Sequence, residues 1–151
     1  MFNRIRRRIN RRRVQRVVRR TGDSSEQVTA ALKGLKGYNT RSWKRITLDK
    51  KYWLCSKEHF QTIIQYNKIN EKQYTYDQFD CDNFAFAFKA QVALNHGLNN
   101  VGLVIDNSAG HAYNVIIFND GSASLFEPQA DQYVAPGQSD LYKFERGIII
   151  L

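Results

Sequence analysis

The sequence predicts an α+β fold in which helices precede a small antiparallel sheet, with a basic arm at the N-terminus. Helix caps and helical spacing of apolar residues occupy the first two thirds of the chain, and short strands separated by turn residues occupy the last third. With 151 residues, of which 42% are hydrophobic, the chain is long enough for one domain with a core. This composition excludes wholesale disorder.

The arm is defined by its charge. Residues 1–20 contain ten arginines and no acidic residue, so the rest of the chain carries 13 basic against 14 acidic groups. Arginine makes bidentate contacts with phosphate, and the arm is therefore expected to bind the nucleic-acid backbone or another anionic partner. A membrane-surface helix and a solvated or protein-docked tail are the alternatives. The predicted contact residues are Arg6, Arg7, Arg8, Arg11, Arg12, Arg13, Arg16, Arg19 and Arg20.

Residues 21–49 are predicted to form a helix and a linker, and residues 50–151 the main domain. In the first segment, a serine or aspartate at 23–25 can cap a short helix that ends at Gly37, and the polar stretch 38–51 is typical of a loop. Ser56 can cap a second helix that ends near Asn67. Residues 68–79 are again predicted to be loop.

A central helix is predicted from Asp80 to Leu94. Asp77 or Asp80 can act as its N-cap, and Gly97 is suited to end it. Its apolar surface runs nearly all round, which is typical of a helix buried in the middle of a domain.

Four short strands follow, separated by turn residues. The sequence places them at residues 101–105, 112–118, 123–126 and 148–151, and Asn119-Asp120-Gly121-Ser122 is a strong hairpin signal between the second and third. The expected sheet is therefore antiparallel.

Three residues in this framework suit nucleophilic chemistry. Cys81 starts the central helix, where free N–H groups and the helix dipole lower the pKa of a thiol. His111 opens a strand and could act as the base, and Glu127 ends the neighbouring strand and could orient the imidazole. If the hairpin loop is Asn119-Asp120-Gly121, Glu127 lies opposite Tyr113 and on the His111 face; a two-residue loop would turn it away.

The three motifs together resemble a known family. Phe79-Asp80-Cys81-Asp82-Asn83-Phe84-Ala85, Gly110-His111-Ala112-Tyr113-Asn114 and Phe126-Glu127-Pro128-Gln129 are similar to the papain-like C-terminal domain of the Marasmius oreades agglutinin and its stand-alone bacteriophage relatives. The resemblance covers residues ~50–151. It implies a compact papain-like fold and a cysteine-protease triad of Cys81, His111 and Glu127. It also implies calcium as a possible cofactor.

Further residues have weaker roles in this prediction. Gln78 and Gln129 could act as oxyanion or substrate donors. Asp80 and Asp82 flank Cys81, and nearby carboxylates raise a thiol pKa unless a cation such as Ca²⁺ neutralises them. These two and Asp106 are the candidate metal ligands, with helix capping as the alternative role of the pair that flanks Cys81.

The leading functional hypothesis is a phage-type cysteine peptidase that hydrolyses amides in a protein or peptide substrate. A non-catalytic virion or DNA-associated structural protein is the alternative, and a peptidoglycan amidase or endopeptidase is the third. The resemblance to bacteriophage proteins implies a viral source. Since the sequence also shows neither a signal peptide nor a membrane-spanning stretch, a virion or host-cytoplasm location is expected.

Overall fold

The computed structural model describes residues 21–151, with side-chain surroundings from Ser25 onward. Within this part of the chain it contains three α-helices, a six-stranded mixed sheet and a separate two-stranded sheet. The predicted α+β class is confirmed. The arginine-rich arm, with its nine predicted contact residues, lies outside the described residues.

The three helices are α1 (Ser25–Lys33), α2 (Lys57–Tyr66) and α3 (Cys81–His96). The predicted ends of α2 are confirmed, since the Ser56 side chain accepts a hydrogen bond from the His59 N–H (3.3 Å) and Asn67 is the C-cap. Gly97 ends α3 with a φ of 63°, a left-handed conformation in which glycine is unstrained. No helix within residues 21–151 has both the length and the apolar character of a membrane span.

The prediction that α3 is buried all round is wrong. Its inner face, which includes Phe84, Phe88 and Val92, is buried, but Phe86 is 54% exposed and Leu94 is 78% exposed. The sheet covers one side of the helix only. The apolar residues of α3 therefore lie on its exposed outer face as well as on its packed face.

The strands run in the order β2-β8-β4-β5-β6-β7, and β1 pairs separately with β3. Their bounds are β1 Thr21–Ser24, β2 Trp43–Ile46, β3 Lys51–Leu54, β4 Val101–Asp106, β5 His111–Ile117, β6 Ala123–Glu127, β7 Gln132–Val134 and β8 Gly147–Ile150.

The sheet is mixed rather than purely antiparallel because β2 pairs in parallel with β8. The sequence predicts loop across residues 38–51, and β2 and the start of β3 contradict that prediction. In β2 only Trp43 is buried, while its other three residues are exposed, so the strand lacks the alternation that signals a strand. Backbone pairing with β8 at the sheet edge defines it instead.

Strand β5 is buried on both faces and divides the core in two. Tyr113, Val115 and Ile117 face a cluster that includes Val28 and Leu32 of α1. Ile116 belongs to a second cluster on the opposite face, formed with α2 and α3. Helix α3 therefore lies on one side of the sheet and α1 on the other.

Asp131, in the β6–β7 turn, carries a pH-dependent cost to stability. Burial raises the pKa of Asp131 to about 6, its Oδ1 has no hydrogen-bond partner among the described residues, and its φ is 52°. Below pH 6 the folded state binds a proton that the unfolded chain still lacks, so this group favours folding as the pH falls towards 4.

Replacing Asp131 with Asn should therefore raise the free energy of unfolding at pH 7 by about 1 kcal/mol, after allowance for partial exposure. The gain should shrink at pH 4, where the native carboxyl is neutral. Urea unfolding at both pH values measures it. Asp120→Asn is the control. It should lower the free energy of unfolding at pH 7, because hydrogen bonds from Ser122 lower the pKa of Asp120 and its charged form stabilises the fold. Equal stability of Asp131→Asn and the native chain at pH 7 would refute this account.

Candidate functional site

A buried imidazole–carboxylate pair links β5 and β6. His111 Nε2 lies 2.8 Å from Glu127 Oε2, and the two side chains are only 10% and 6% exposed. Because a carboxylate accepts hydrogen bonds, Nε2 carries the hydrogen in this pair and Nδ1 is left as the free nitrogen of the neutral ring.

The hairpin register brings the pair together. Asn114 pairs with Phe126, and Phe118 N–H donates to the Ser122 carbonyl (2.9 Å), so Asn119-Asp120-Gly121 is the loop. Of the two loops that the sequence leaves open, the structure has the three-residue one, which places Glu127 on the His111 face.

Glu127 is held from two further directions. The Tyr142 hydroxyl donates to Oε2 (3.0 Å), and the Gln129 backbone N–H donates to Oε1 (3.0 Å). Both carboxylate oxygens are therefore occupied, which suits an ionised carboxylate in a buried position.

Cys81 is the first residue of α3 and is half-buried with a free thiol. Asp80 is the N-cap, and its backbone N–H donates to Asn83 Oδ1 (3.2 Å). The thiol therefore lies at the positive end of a helix of 16 residues. Cys55 is also free, but it is fully buried, and burial raises its pKa to about 12.

Two side-chain hydrogen bonds join α3 to strands β4 and β5. The Asn114 side chain donates to the Ala85 carbonyl (3.0 Å). Further along, Lys89 Nζ donates to the carbonyl of Val101 (2.5 Å), which pairs with Ile116. The first half of α3 is thereby fixed against these two strands.

Cys81 lies four residues before Ala85 on α3, and His111 lies three residues before Asn114 on β5. The two side chains start from opposite sides, because α3 packs on the Asn114 face whereas His111 lies on the Tyr113 face. A contact between the Cys81 thiol and the His111 imidazole would therefore have to pass around the end of β5, before its first residue.

The carboxylates next to Cys81 make its surroundings more negative. Asp82 is exposed, and a hydrogen bond with the Asp80 carboxyl, together with partial burial, raises the pKa of Asp82. Asp80 Oδ2 also accepts a hydrogen bond from the Asp77 N–H (3.3 Å). The start of α3 therefore combines the positive end of the helix dipole with the negative charge of these carboxylates.

The three predicted metal ligands do not form one site. Asp106 is fully buried, and its carboxylate accepts hydrogen bonds from Tyr113 Oη (2.9 Å), Phe144 N (2.8 Å) and the Ser108 side chain. Residues 21–151 contain no group of three or more His, Cys, Asp or Glu arranged to hold a metal ion. The residues present therefore do not fit a calcium site that includes Asp106, and calcium dependence stays a prediction.

The two predicted oxyanion donors lie in turns. Gln78 is exposed, and its backbone N–H donates to the Thr75 carbonyl (3.1 Å). Gln129 is half-buried and contacts Glu127 through its backbone, as described above. Their roles towards a bound ligand stay predictions.

Tyr142 also belongs to the site, although the sequence does not predict it. The residue lies in a polar stretch that forms a short 3-10 helix, Asp140–Tyr142. Its ring centroid is 5.7 Å from that of His111 and 5.3 Å from that of Tyr113. No local pattern marks it, since its partners are far away in the sequence.

This chain is similar to lectins, both in a family model and in solved structures. The family model for the ricin-type beta-trefoil lectin C-terminal domain matches residues 24–151. A solved structure described as the PSL1a-E64 complex has a TM-score of 0.65 and 23% identity, covering 86% of this chain and 51% of that chain.

A second solved structure is the Polyporus squamosus lectin bound to the human-type influenza-binding epitope Neu5Aca2-6Galb1-4GlcNAc. It has a TM-score of 0.62 and 23% identity, and the match covers 86% of this chain and 49% of the lectin. The present chain thus spans about half the length of both structures, and the likeness at this identity shows the fold alone. No curated protein sequence matches the chain.

These matches contradict the function predicted from the sequence. The family and both structures are those of lectins, and none of them is a phage cysteine peptidase, a virion protein or a peptidoglycan hydrolase. The resemblance to the C-terminal domain of an agglutinin agrees with the family match, but the protease and phage functions attached to that resemblance are not supported.

Proposed function

Because the chain belongs to the family of ricin-type beta-trefoil lectin C-terminal domains, we propose that it is the thiol-bearing domain of a lectin-type protein. Cys81 is its reactive group, and the ligand is a molecule with an electrophilic carbon. His111 and Glu127 activate the thiol, in a papain-like arrangement of a cysteine at a helix start and an imidazole on the sheet.

The His111–Glu127 hydrogen bond carries this proposal. A buried carboxylate that accepts from Nε2 fixes the imidazole in the tautomer whose Nδ1 can take a proton. Nδ1 accepts the thiol proton and the thiolate forms a C–S bond at the electrophilic carbon. The electron pair of the bond that breaks at this carbon goes to the displaced atom, which takes a proton from the imidazolium and, in an adduct such as that with E64, stays attached to the ligand. Glu127 stabilises the imidazolium between these two proton transfers.

The relative named as the PSL1a-E64 complex gives independent support, and E64 is the obvious probe. Incubated with E64, the full chain should gain the mass of one molecule, and peptide mapping should locate it on Cys81. Cys55→Ala, the matched cysteine variant, should gain the same mass, while Cys81→Ala should gain none. No mass gain in the native chain, or a gain that persists in Cys81→Ala, would refute the proposal.

Glycan binding is a second candidate function, favoured by the relative that binds a sialylated epitope. Calorimetric titration of that trisaccharide into the same protein separates the two candidates. A saturable heat that Cys81→Ala leaves unchanged supports glycan binding at a site apart from the thiol. Absence of heat, combined with the E64 adduct, supports the thiol function alone.

A further inference from the structure

Tyr142 covers the His111–Glu127 pair and touches both members. Its hydroxyl donates to Glu127 Oε2, the same oxygen that faces His111 Nε2. Its ring meets the His111 ring nearly edge-on, with an interplanar angle of 64°, and meets Tyr113 at 81°. A half-buried aromatic ring in this position shields the hydrogen bond beneath it from water.

The segment that carries Tyr142 is fixed on both sides. The Tyr142 carbonyl accepts from the Gly137 N–H (2.7 Å), and Ser139 caps the short 3-10 helix. Two residues later, the Phe144 N–H donates to the buried Asp106 carboxylate, and the Phe144 ring packs 4.4 Å from that of Trp43. The tyrosine is therefore held in place by the fold rather than by its contact with Glu127.

We propose that Tyr142 is a positioning residue that orients the Glu127 carboxylate, so that Glu127 selects the Nε2–H tautomer of His111. The consequence for Cys81 reactivity rests on the proposed function, whereas the effect on the His111 tautomer does not.

The electrostatics of the pocket agree with this role. Burial and the Glu127 carboxylate raise the pKa of Tyr142, so the phenol keeps its hydrogen and remains a donor at neutral pH. Among the described residues, the titratable groups that face His111 are Glu127 from β6, Tyr142, and Tyr113 from the same strand. Asp106 pairs with His111 from β4, and its carboxylate accepts hydrogen bonds from Tyr113 and Phe144.

Tyr142→Phe tests the proposal, because it removes the donor and keeps the ring. Tyr38→Phe is the matched control, since the buried Tyr38 hydroxyl has no hydrogen-bond partner among the described residues. Nitrogen-15 NMR of the His111 ring in the full chain reports the tautomer. Iodoacetamide alkylation of Cys81 at pH 6, resolved by peptide mass, reports reactivity.

We expect native His111 and Tyr38→Phe to show the Nε2–H tautomer, and Tyr142→Phe to show a mixed population with faster exchange of that hydrogen. Alkylation of Cys81 should slow about tenfold in Tyr142→Phe, in proportion to the loss of a hydrogen bond to a charged group. An unchanged tautomer population and exchange rate in Tyr142→Phe would overturn the proposal. If the tautomer changes but native Cys81 is unreactive, the positioning role stands and the proposed function fails.

Discussion

Replacing His111 with alanine should lower the rate of Cys81 alkylation at pH 6 by about 100-fold, the lower end of what a positioned base contributes. Among the described residues, the carboxylates of Asp80 and Asp82 flank Cys81. A carboxylate is a much weaker base than an imidazole, so neither takes the thiol proton as well at this pH. Iodoacetamide labelling read peptide by peptide gives the rate. Glu127→Gln should show a smaller loss, since it keeps the imidazole but removes the charge that stabilises the imidazolium.

Cys55 and His59 provide the controls for this experiment. Cys55 is fully buried and should stay unlabelled as long as the domain is folded, so its labelling reports any unfolding of His111→Ala. His59→Ala removes an imidazole on α2 and should leave Cys81 labelling unchanged. If Cys81 in His111→Ala reacts at the native rate while Cys55 stays protected, the imidazole has no part in activating the thiol.

Replacing Gly147 with alanine should lower the free energy of unfolding by about 3 kcal/mol, at the upper end of the usual cost of overpacking. A Cβ at this position would lie 2.0 Å from the Ile105 carbonyl oxygen and 2.8 Å from the Trp43 ring. The first of these atoms is backbone in the β4–β8 ladder, which cannot yield without breaking the pairing of Asp106 with Gly147. Urea unfolding measures the change.

Gly121→Ala is the matched control for Gly147→Ala. Gly121 has a φ of 82°, and its added Cβ would meet nothing within 4 Å, so the substitution costs backbone strain without a clash. We expect a loss of about 1 kcal/mol there. Should Gly147→Ala prove no more destabilising than Gly121→Ala, β8 would not lie against β4 as described.

Local signals in the sequence predicted the elements that have caps, turn residues or periodicity of their own. The Ser56 and Gly97 caps, the hairpin turn at residues 119–122 and strands β4, β5, β6 and β8 all follow from short-range chemistry. Strands β2, β3 and β7 could not be predicted in this way. Each is only three or four residues long, which is too short for a periodicity of its own to stand out, and β2 is in addition largely exposed.

Some residues of the candidate site could likewise be predicted from local sequence signals, and others could not. The turn residues left a two-residue and a three-residue loop open, and the three-residue loop, which the structure shows, brings His111 and Glu127 together. Tyr142 was not, because its hydroxyl reaches Glu127 across 15 residues and a turn with no motif. The sequence offers Asp106 as a candidate metal ligand, whereas in the structure its carboxylate accepts hydrogen bonds from the Phe144 N–H and the Tyr113 hydroxyl and has a structural role.

The three motifs indicate a family, but they do not by themselves give the function of the chain. The order of the three motifs pointed to the C-terminal domain of an agglutinin, and the family match to lectin C-terminal domains is consistent with that. Attaching a phage peptidase function to the resemblance went further than the residues allow, since a fold carries many functions. The chemistry of the site has to be tested on its own residues.

The most direct test of the thiol site is the pH dependence of alkylation in the native chain, for Cys81 and Cys55 side by side from pH 4 to 9. The account predicts that Cys81 is labelled readily at pH 6, that its rate rises little towards pH 8, and that Cys55 stays unlabelled throughout. A Cys81 rate that is negligible at pH 6 and climbs about tenfold per pH unit towards pH 8.5, as for an isolated thiol, would contradict it.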